Sequence, residues 1–215
     1  MNNIYIYSCG GSGREILRLI KDINDNGRQW NVLGYIDDDI EKQGTVIDGL
    51  NVFSFEEMPR TDNDYCICGI MDPSIREKIV EQNILPKGYQ IPSLIHPTIS
   101  IYDDTQIEHG AIIYSGVYIS YNVKIDKYAL LSSNSLIGHD SIIGKYVSVM
   151  PATTINGNCN IGDKCILGAG SVLHPGISIG QNSVIGIGSK VLNNVDSNKT
   201  LLDTPRRVIL DRKKQ

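Results

Sequence analysis

Residues 137–149 read Ile137-Gly138-His139-Asp140-Ser141-Ile142-Ile143-Gly144-Lys145-Tyr146-Val147-Ser148-Val149. An aliphatic side chain recurs every six positions, at Ile137, Ile143 and Val149, and four residues after the first two stand Ser141 and Val147. Followed outward, the six-residue step holds Ile, Leu or Val at all seventeen positions from Ile95 to Val191. The four-residue offset is filled by small or β-branched residues from Ile99 to Val195, and Gly follows the aliphatic at 138, 144, 162, 168, 180 and 186. This is the hexapeptide pattern of a parallel β-helix, three hexads to a triangular coil as in the left-handed form. The aliphatic fills the interior, the small residue fits a tight corner, and the glycine relieves the backbone near the turn. Seventeen hexads make between five and six coils, a prism roughly 27 Å tall. The phase runs unbroken over 95–196, so no long loop is extruded. Cys159 and Cys165 occupy corner positions and read as small buried filler.

Composition agrees. The 215 residues include 33 Ile and 21 Gly against 2 Phe and 1 Trp, which suits a narrow repetitive interior and not an aromatic-centred core. The net charge is −4, so no basic excess points to nucleic acid or an anionic membrane surface. No apolar run approaches the roughly 18 residues a membrane span needs. Met1 to Tyr7 lacks the basic start and cleavage site of a secretory signal, and the expected compartment is the cytoplasm. Five cysteines, none in a Cys-x-x-Cys pair, are expected to be reduced thiols.

Residues 1–94 read differently. Ile4 to Tyr7 is a short strand, followed by Ser8-Cys9-Gly10-Gly11-Ser12-Gly13 and then by helical apolar spacing from Arg14 to Asp25. Val32 to Ile36 is a second strand, ending in Asp37-Asp38-Asp39; Tyr65 to Cys68 is a third, ending at Gly69; Pro73 to Asn83 is a second helix. Strand, Gly-rich loop, helix and strand make half of a doubly wound nucleotide-binding unit. The loop places backbone N–H groups at a helix N-terminus, where a phosphate or other anion binds well. The third Gly of the dinucleotide fingerprint is replaced by Ile16, and 94 residues do not hold both halves of a dinucleotide fold. A mononucleotide or nucleotide-sugar therefore fits better than NAD; a tight structural turn beside a solvated acidic loop is the plainer alternative. The expected organisation is an α/β half-Rossmann-like domain at 1–94, a left-handed parallel β-helix at 95–196 and a tail at 197–215.

There are four histidines. His96, at the mouth of the β-helix, reads as structural or solvated, His109 carries no assigned role, and His174 reads as a surface residue. His139 stands apart. Counted from the inward Ile137 it projects outward, with Asp140 beside it at the turn. An imidazole next to a carboxylate accepts a proton near neutral pH, and the carboxylate orients it. A solvated surface histidine is the competing reading.

The Gly loop, Leu94-Ile95-His96-Pro97, an unbroken prism carrying His139-Asp140, and Asp203-Thr204-Pro205-Arg206-Arg207 together span nearly the whole chain. This combination resembles the hexapeptide-repeat sugar acyltransferases, which include sialic acid O-acetyltransferases. It is most similar to the bacterial nucleotide-amino-sugar N-acetyltransferases of glycan and O-antigen biosynthesis. The resemblance implies a homotrimer with active sites between adjacent prisms, using acetyl-CoA and no metal. It would acetylate the 4-amino group of a UDP-, dTDP- or GDP-linked 4-amino-4,6-dideoxy sugar. It implies His139 as general base with Asp140 adjacent. Gly10, Gly11, Ser12, Asp37, Asp38 and Gly69 would contact the nucleotide-sugar, and Ser148, Ala169 and Ile187 would lie along the pantetheine arm. Arg206, Arg207 and the tail to Lys214 are equally readable as a CoA phosphate contact or a solvated basic tail. The chain departs from the family in Gly10-Gly11-Ser12-Gly13, where Gly-Gly-His-Gly is usual, in Ser8 for an early Gly, in Ser132 for a frequent Asn, and in Asp203-Thr204-Pro205 for Gly-x-Pro.

Three other functions remain at this point. O-acetylation of sialic acid or a related sugar uses the same base. A prism-type carbonic anhydrase needs three histidines converging on zinc, whereas His109, His139 and His174 offer no close pair. A non-catalytic nucleotide-sugar-binding protein would keep the Gly loop and tolerate loss of His139.

Overall fold

The structure, a computed structural model, describes residues 1–27, 29–59 and 64–203. The N-terminal part is a five-stranded sheet in the order β3-β4-β2-β1-β5, with β1 Asn2–Tyr7, β2 Trp30–Ile36, β3 Val46–Ile47, β4 Leu50–Phe53 and β5 Tyr65–Cys68. β1 is parallel to β2 and β5, and β2 is parallel to β4. Ile4 to Tyr7 are all buried, the signature of a central parallel strand covered on both faces. Helix α1, Gly11–Asp25, buries Ile16, Leu19, Ile20 and Ile23 at helical spacing. The antiparallel β3–β4 hairpin is an addition to the expected elements. It turns on Asp48-Gly49, both at positive φ (51° and 80°), the Asp-Gly pair that favours a two-residue hairpin. Helix α2 spans Pro73–Ile79, capped by the Asp72 carboxylate, which accepts from the Ser74 and Ile75 amides; it then widens into a π-helical turn at Val80–Ile84 instead of running regularly to Asn83.

From Leu94 onward the chain forms a parallel β-helix with three sheets of five, seven and five strands. The expected interior is borne out: Ile113, Ile119, Ile125 and Leu131 through Val191 are at most 2% exposed, and the second inward register, from Ala111 to Ser189, is buried as well. Positive φ recurs every six residues three places after the aliphatic, at Gly110, Gly116, Asn122, Tyr128, Asn134 and Asp140 onward. The backbone is therefore relieved at that corner and not at the glycine beside the aliphatic. That glycine answers to stacking: a methyl on Gly138 would run into the Asn156–Gly157 peptide of the next coil.

The repeat departs from its expected phase at both ends. Ile101 is 47% exposed, because no strand forms at that position of the first coil. At the far end, Ile179 bridges to Val195 and Val184–Ile185 pair with Thr200–Leu201, steps of sixteen residues in place of eighteen. The last coil is thus shortened, and ladder pairing continues into the segment read as a tail. Thr204 to Gln215, including Arg206, Arg207 and Lys214, lie outside the described residues. Among the described residues, no helix is long and apolar enough to cross a membrane.

Arg76 of α2 joins the two parts. Its guanidinium is buried, with Nη1 donating to the Ile70 and Met71 carbonyls (2.6 and 3.2 Å), Nη2 to Tyr146 O (2.7 Å), and Nε to Tyr128 O (3.2 Å). Burial lowers its pKa to about 10, so it stays charged at neutral pH. The Tyr128 and Tyr146 rings stack at 4.8 Å in the same interface, and the Tyr146 hydroxyl donates to Glu81 (2.8 Å).

Candidate active site

His139 and Asp140 occupy the corner between the sheet strand Leu136–Ile137 and the next, Ile142–Ile143. Asp140 has φ +57°, which turns the chain back across the corner. Its Oδ2 is 2.8 Å from His139 Nδ1, and its Oδ1 accepts from the Asn122 amide at 2.7 Å. These two hydrogen bonds, Asn122's being the larger effect, hold the Asp140 carboxyl below its ordinary range. A carboxylate only accepts, so Nδ1 carries the proton and Nε2 is left with the lone pair. The imidazole lies directly over Gly157, eighteen residues on in the next coil: a methyl there would overlap the ring. Gly157 has no positive φ, so alanine is compatible with its backbone. Gly157→Ala is expected to leave thermal stability nearly intact and lower kcat about 100-fold by displacing the ring, as steady-state kinetics beside a melting curve will show.

The N-terminal loop is built for close approach. A methyl on Gly13 would collide with the Ser8 carbonyl, and one on Gly69 would press on the Gly13 backbone. Gly13→Ala is expected to destabilise the protein by about 2–3 kcal/mol in urea unfolding, since neither partner is a side chain that can yield. Gly10 precedes α1 with no side chain capping the helix, which leaves first-turn amides for an anion.

Several expected contacts lie elsewhere. Gly69 is buried behind the loop, where it allows α1 to approach β5. Asp37 is turned inward: it accepts from the Cys9 amide (3.0 Å), the Cys9 thiol (3.1 Å) and the Asp39 amide (3.0 Å). Burial alone would raise its pKa, but these bonds and Lys42 hold it low, while burial and this carboxylate push the Cys9 thiol up to about 11. Asp37 therefore shapes the loop. Asp38 is exposed, with one oxygen accepting from the Tyr7 hydroxyl (2.6 Å). Ser148 is wholly buried, its hydroxyl donating to Met71 O (2.6 Å) and accepting from Arg76 (3.1 Å). Ala169 is half-buried and Ile187 is 81% exposed.

A cavity of about 400 Å³ opens between α1 and the prism edge, with Ser12, Glu15, Asp22, His96, Tyr114 and Pro151 in its wall. His96 is therefore a cavity residue: its Nδ1 accepts from the Thr98 amide (3.2 Å) and its Nε2 faces Asp22 Oδ2 at 3.6 Å. The edge residues Ser115, Ser133 and Pro151 are followed at eighteen-residue steps by Ala169 and Ile187, so the cavity opens onto the edge that carries those two. His139 stands on a different edge. Of the cavity wall the sequence pointed to Ser12 but not to Glu15, Asp22, Tyr114 or Pro151, and it did not point to Asn122 or Gly157; the eighteen-residue coil period marks these last two, as the residues one coil from Asp140 and His139.

Residues 3–83 match the family model described as the PglD N-terminal domain, and residues 140–175 match that described as the bacterial transferase hexapeptide, six repeats. Among curated proteins none matches the chain. Among solved structures, WeeI from Acinetobacter baumannii is 26% identical with a TM-score of 0.86, covering 97% of this chain and 100% of its own. PerB from Caulobacter crescentus, solved with CoA and GDP-perosamine, shares the fold at 19% identity and TM-score 0.83, with 93% of each chain covered. So does the acetyltransferase domain of PglB from Neisseria gonorrhoeae with acetyl coenzyme A, at 18% identity and TM-score 0.78, covering 92% of this chain and 94% of that one.

Proposed function

We propose that the chain, with its PglD-type N-terminal domain and hexapeptide-transferase repeats, is a sugar acetyltransferase that acetylates the 4-amino group of a nucleotide-linked 4-amino-4,6-dideoxy sugar, with His139 as general base. Acetyl-CoA is the acyl donor. The observation that carries the reading is the Asn122–Asp140–His139 chain of hydrogen bonds, which occupies Nδ1 and leaves Nε2 as the acceptor. The sugar amine attacks the thioester carbonyl as Nε2 takes its proton; a C–N bond forms, the C–S bond breaks, and the imidazolium returns the proton to the CoA thiolate. Asp140 stabilises the imidazolium between these steps.

The base stands on one prism edge and the cavity on another, so one chain does not bring them together. A trimer of parallel prisms places His139 of one copy against the cavity and the Ala169–Ile187 edge of its neighbour. The Gly10-Gly11-Ser12 loop and exposed Asp38 then serve the nucleotide, the cavity serves the sugar, and Ala169 and Ile187 flank the pantetheine arm. Both co-substrates are cytoplasmic metabolites, which puts the reaction in the cytoplasm, in glycan or O-antigen precursor synthesis. The relatives' ligands support this reading: PerB was solved with CoA and GDP-perosamine and the PglB domain with acetyl coenzyme A. The test is thiol release from acetyl-CoA with UDP-, dTDP- and GDP-linked 4-amino-4,6-dideoxy sugars and with sialic acid. Release with one of the amino sugars is expected; release with sialic acid alone would replace the amine by a hydroxyl acceptor, and release with none would overturn the proposal.

A further inference from the structure

Asn122 and Asp140 stand one above the other, eighteen residues apart, both in the left-handed region (φ +52° and +57°) that Asn and Asp enter more readily than most side chains. The Asp140 carboxylate has one oxygen on the Asn122 amide and the other on His139 Nδ1. Without the amide, the carboxylate is free to rotate about its Cβ–Cγ bond and lose its alignment with Nδ1. Below the ring, the close approach of Gly157 leaves the imidazole no room to follow the carboxylate inward. The ring's aim therefore depends on the one carboxylate orientation that the amide fixes. We infer that Asn122 is a positioning residue: through Asp140 it locks the orientation and tautomer of the His139 imidazole. This rests on the reading of His139 as the base. Asn122 touches neither the imidazole nor, on this account, the substrate.

Asn122→Gly removes the amide while keeping a residue at ease in this backbone, and Asn122→Asp keeps the shape but sets an acceptor against Asp140. Each is compared with wild type and His139→Asn, using acetyl-CoA and the 4-amino sugar nucleotide that is turned over. Asn122→Gly is expected to lower kcat about tenfold, the low end for a hydrogen bond to a charged group. KM for both substrates should stay within about twofold, since ground-state binding is untouched. Asn122→Asp should lose more, and in the His139→Asn background Asn122→Gly should have no further effect. Unchanged kcat in both Asn122 variants, with His139→Asn impaired, overturns the positioning role and leaves the base standing. Full turnover in His139→Asn overturns the base instead. A ¹⁵N spectrum of the His139 ring separates the two without turnover: loss of the Nδ1–H tautomer preference in Asn122→Gly supports the clamp, and its persistence refutes it.

Discussion

His139→Asn is expected to lower kcat by about 10³, within the range for loss of a positioned general base, with KM for acetyl-CoA little changed. Asn retains a hydrogen-bonding side chain of smaller volume on an exposed corner, so the prism should be undisturbed: the His139 ring rests on Gly157 from outside and is no part of the buried interior. The accompanying melting curve should match wild type, which assigns the loss to chemistry. A fall in Tm alongside kcat would instead make His139 a structural residue.

The largest stability effect is expected at Arg76. Truncation to Ala withdraws the donors from the carbonyls of Ile70, Tyr128 and Tyr146 in the interface between sheet domain and prism. Among the described residues no carboxylate is hydrogen-bonded to the guanidinium, so the charge is held by carbonyl dipoles and the Ser148 hydroxyl. Each buried carbonyl left without a donor costs about 1–3 kcal/mol, and the sum should be about 4 kcal/mol in urea unfolding. Arg76→Lys should recover only part of this, because a single ammonium does not span acceptors that the planar fork reaches on both sides. Since α1 walls the cavity from the sheet-domain side, a loosened interface should also raise KM for the sugar nucleotide.

The fold was legible because a hexad repeat repeats its evidence: each inward aliphatic from Ile113 to Val191 obeys the same steric rule, and one exception does not hide it. Where the coils end, the rule weakens. Ile101 has no strand to hold it inward, and Val195 completes a shortened coil that hydrophobic phase alone does not reveal. The β3–β4 hairpin carried its Asp48-Gly49 signal between strands of only two and four residues, too short for a period-2 pattern to show. His139 and Asp140 were legible because both lie within one corner. Ser148, Asp37 and Gly69 were not, because their surroundings come from distant segments. α2 covers Ser148, the Cys9 amide and thiol draw Asp37 inward, and the Gly13 backbone stands against Gly69. Burial of that kind is set by tertiary packing, within the sheet domain for Asp37 and Gly69 and between sheet domain and prism for Ser148, which no spacing rule contains.

If base and cavity come from different copies of the chain, as proposed, subunit complementation will reveal it. His139→Asn removes the base, and Ser133→Trp fills the cavity edge; each alone should be inactive. Trimers reassembled from an equal mixture should recover about a quarter of wild-type turnover, the share of interfaces that pair an open cavity with an intact His139. Mixed trimers that form and remain as inactive as their parents would contradict the shared site.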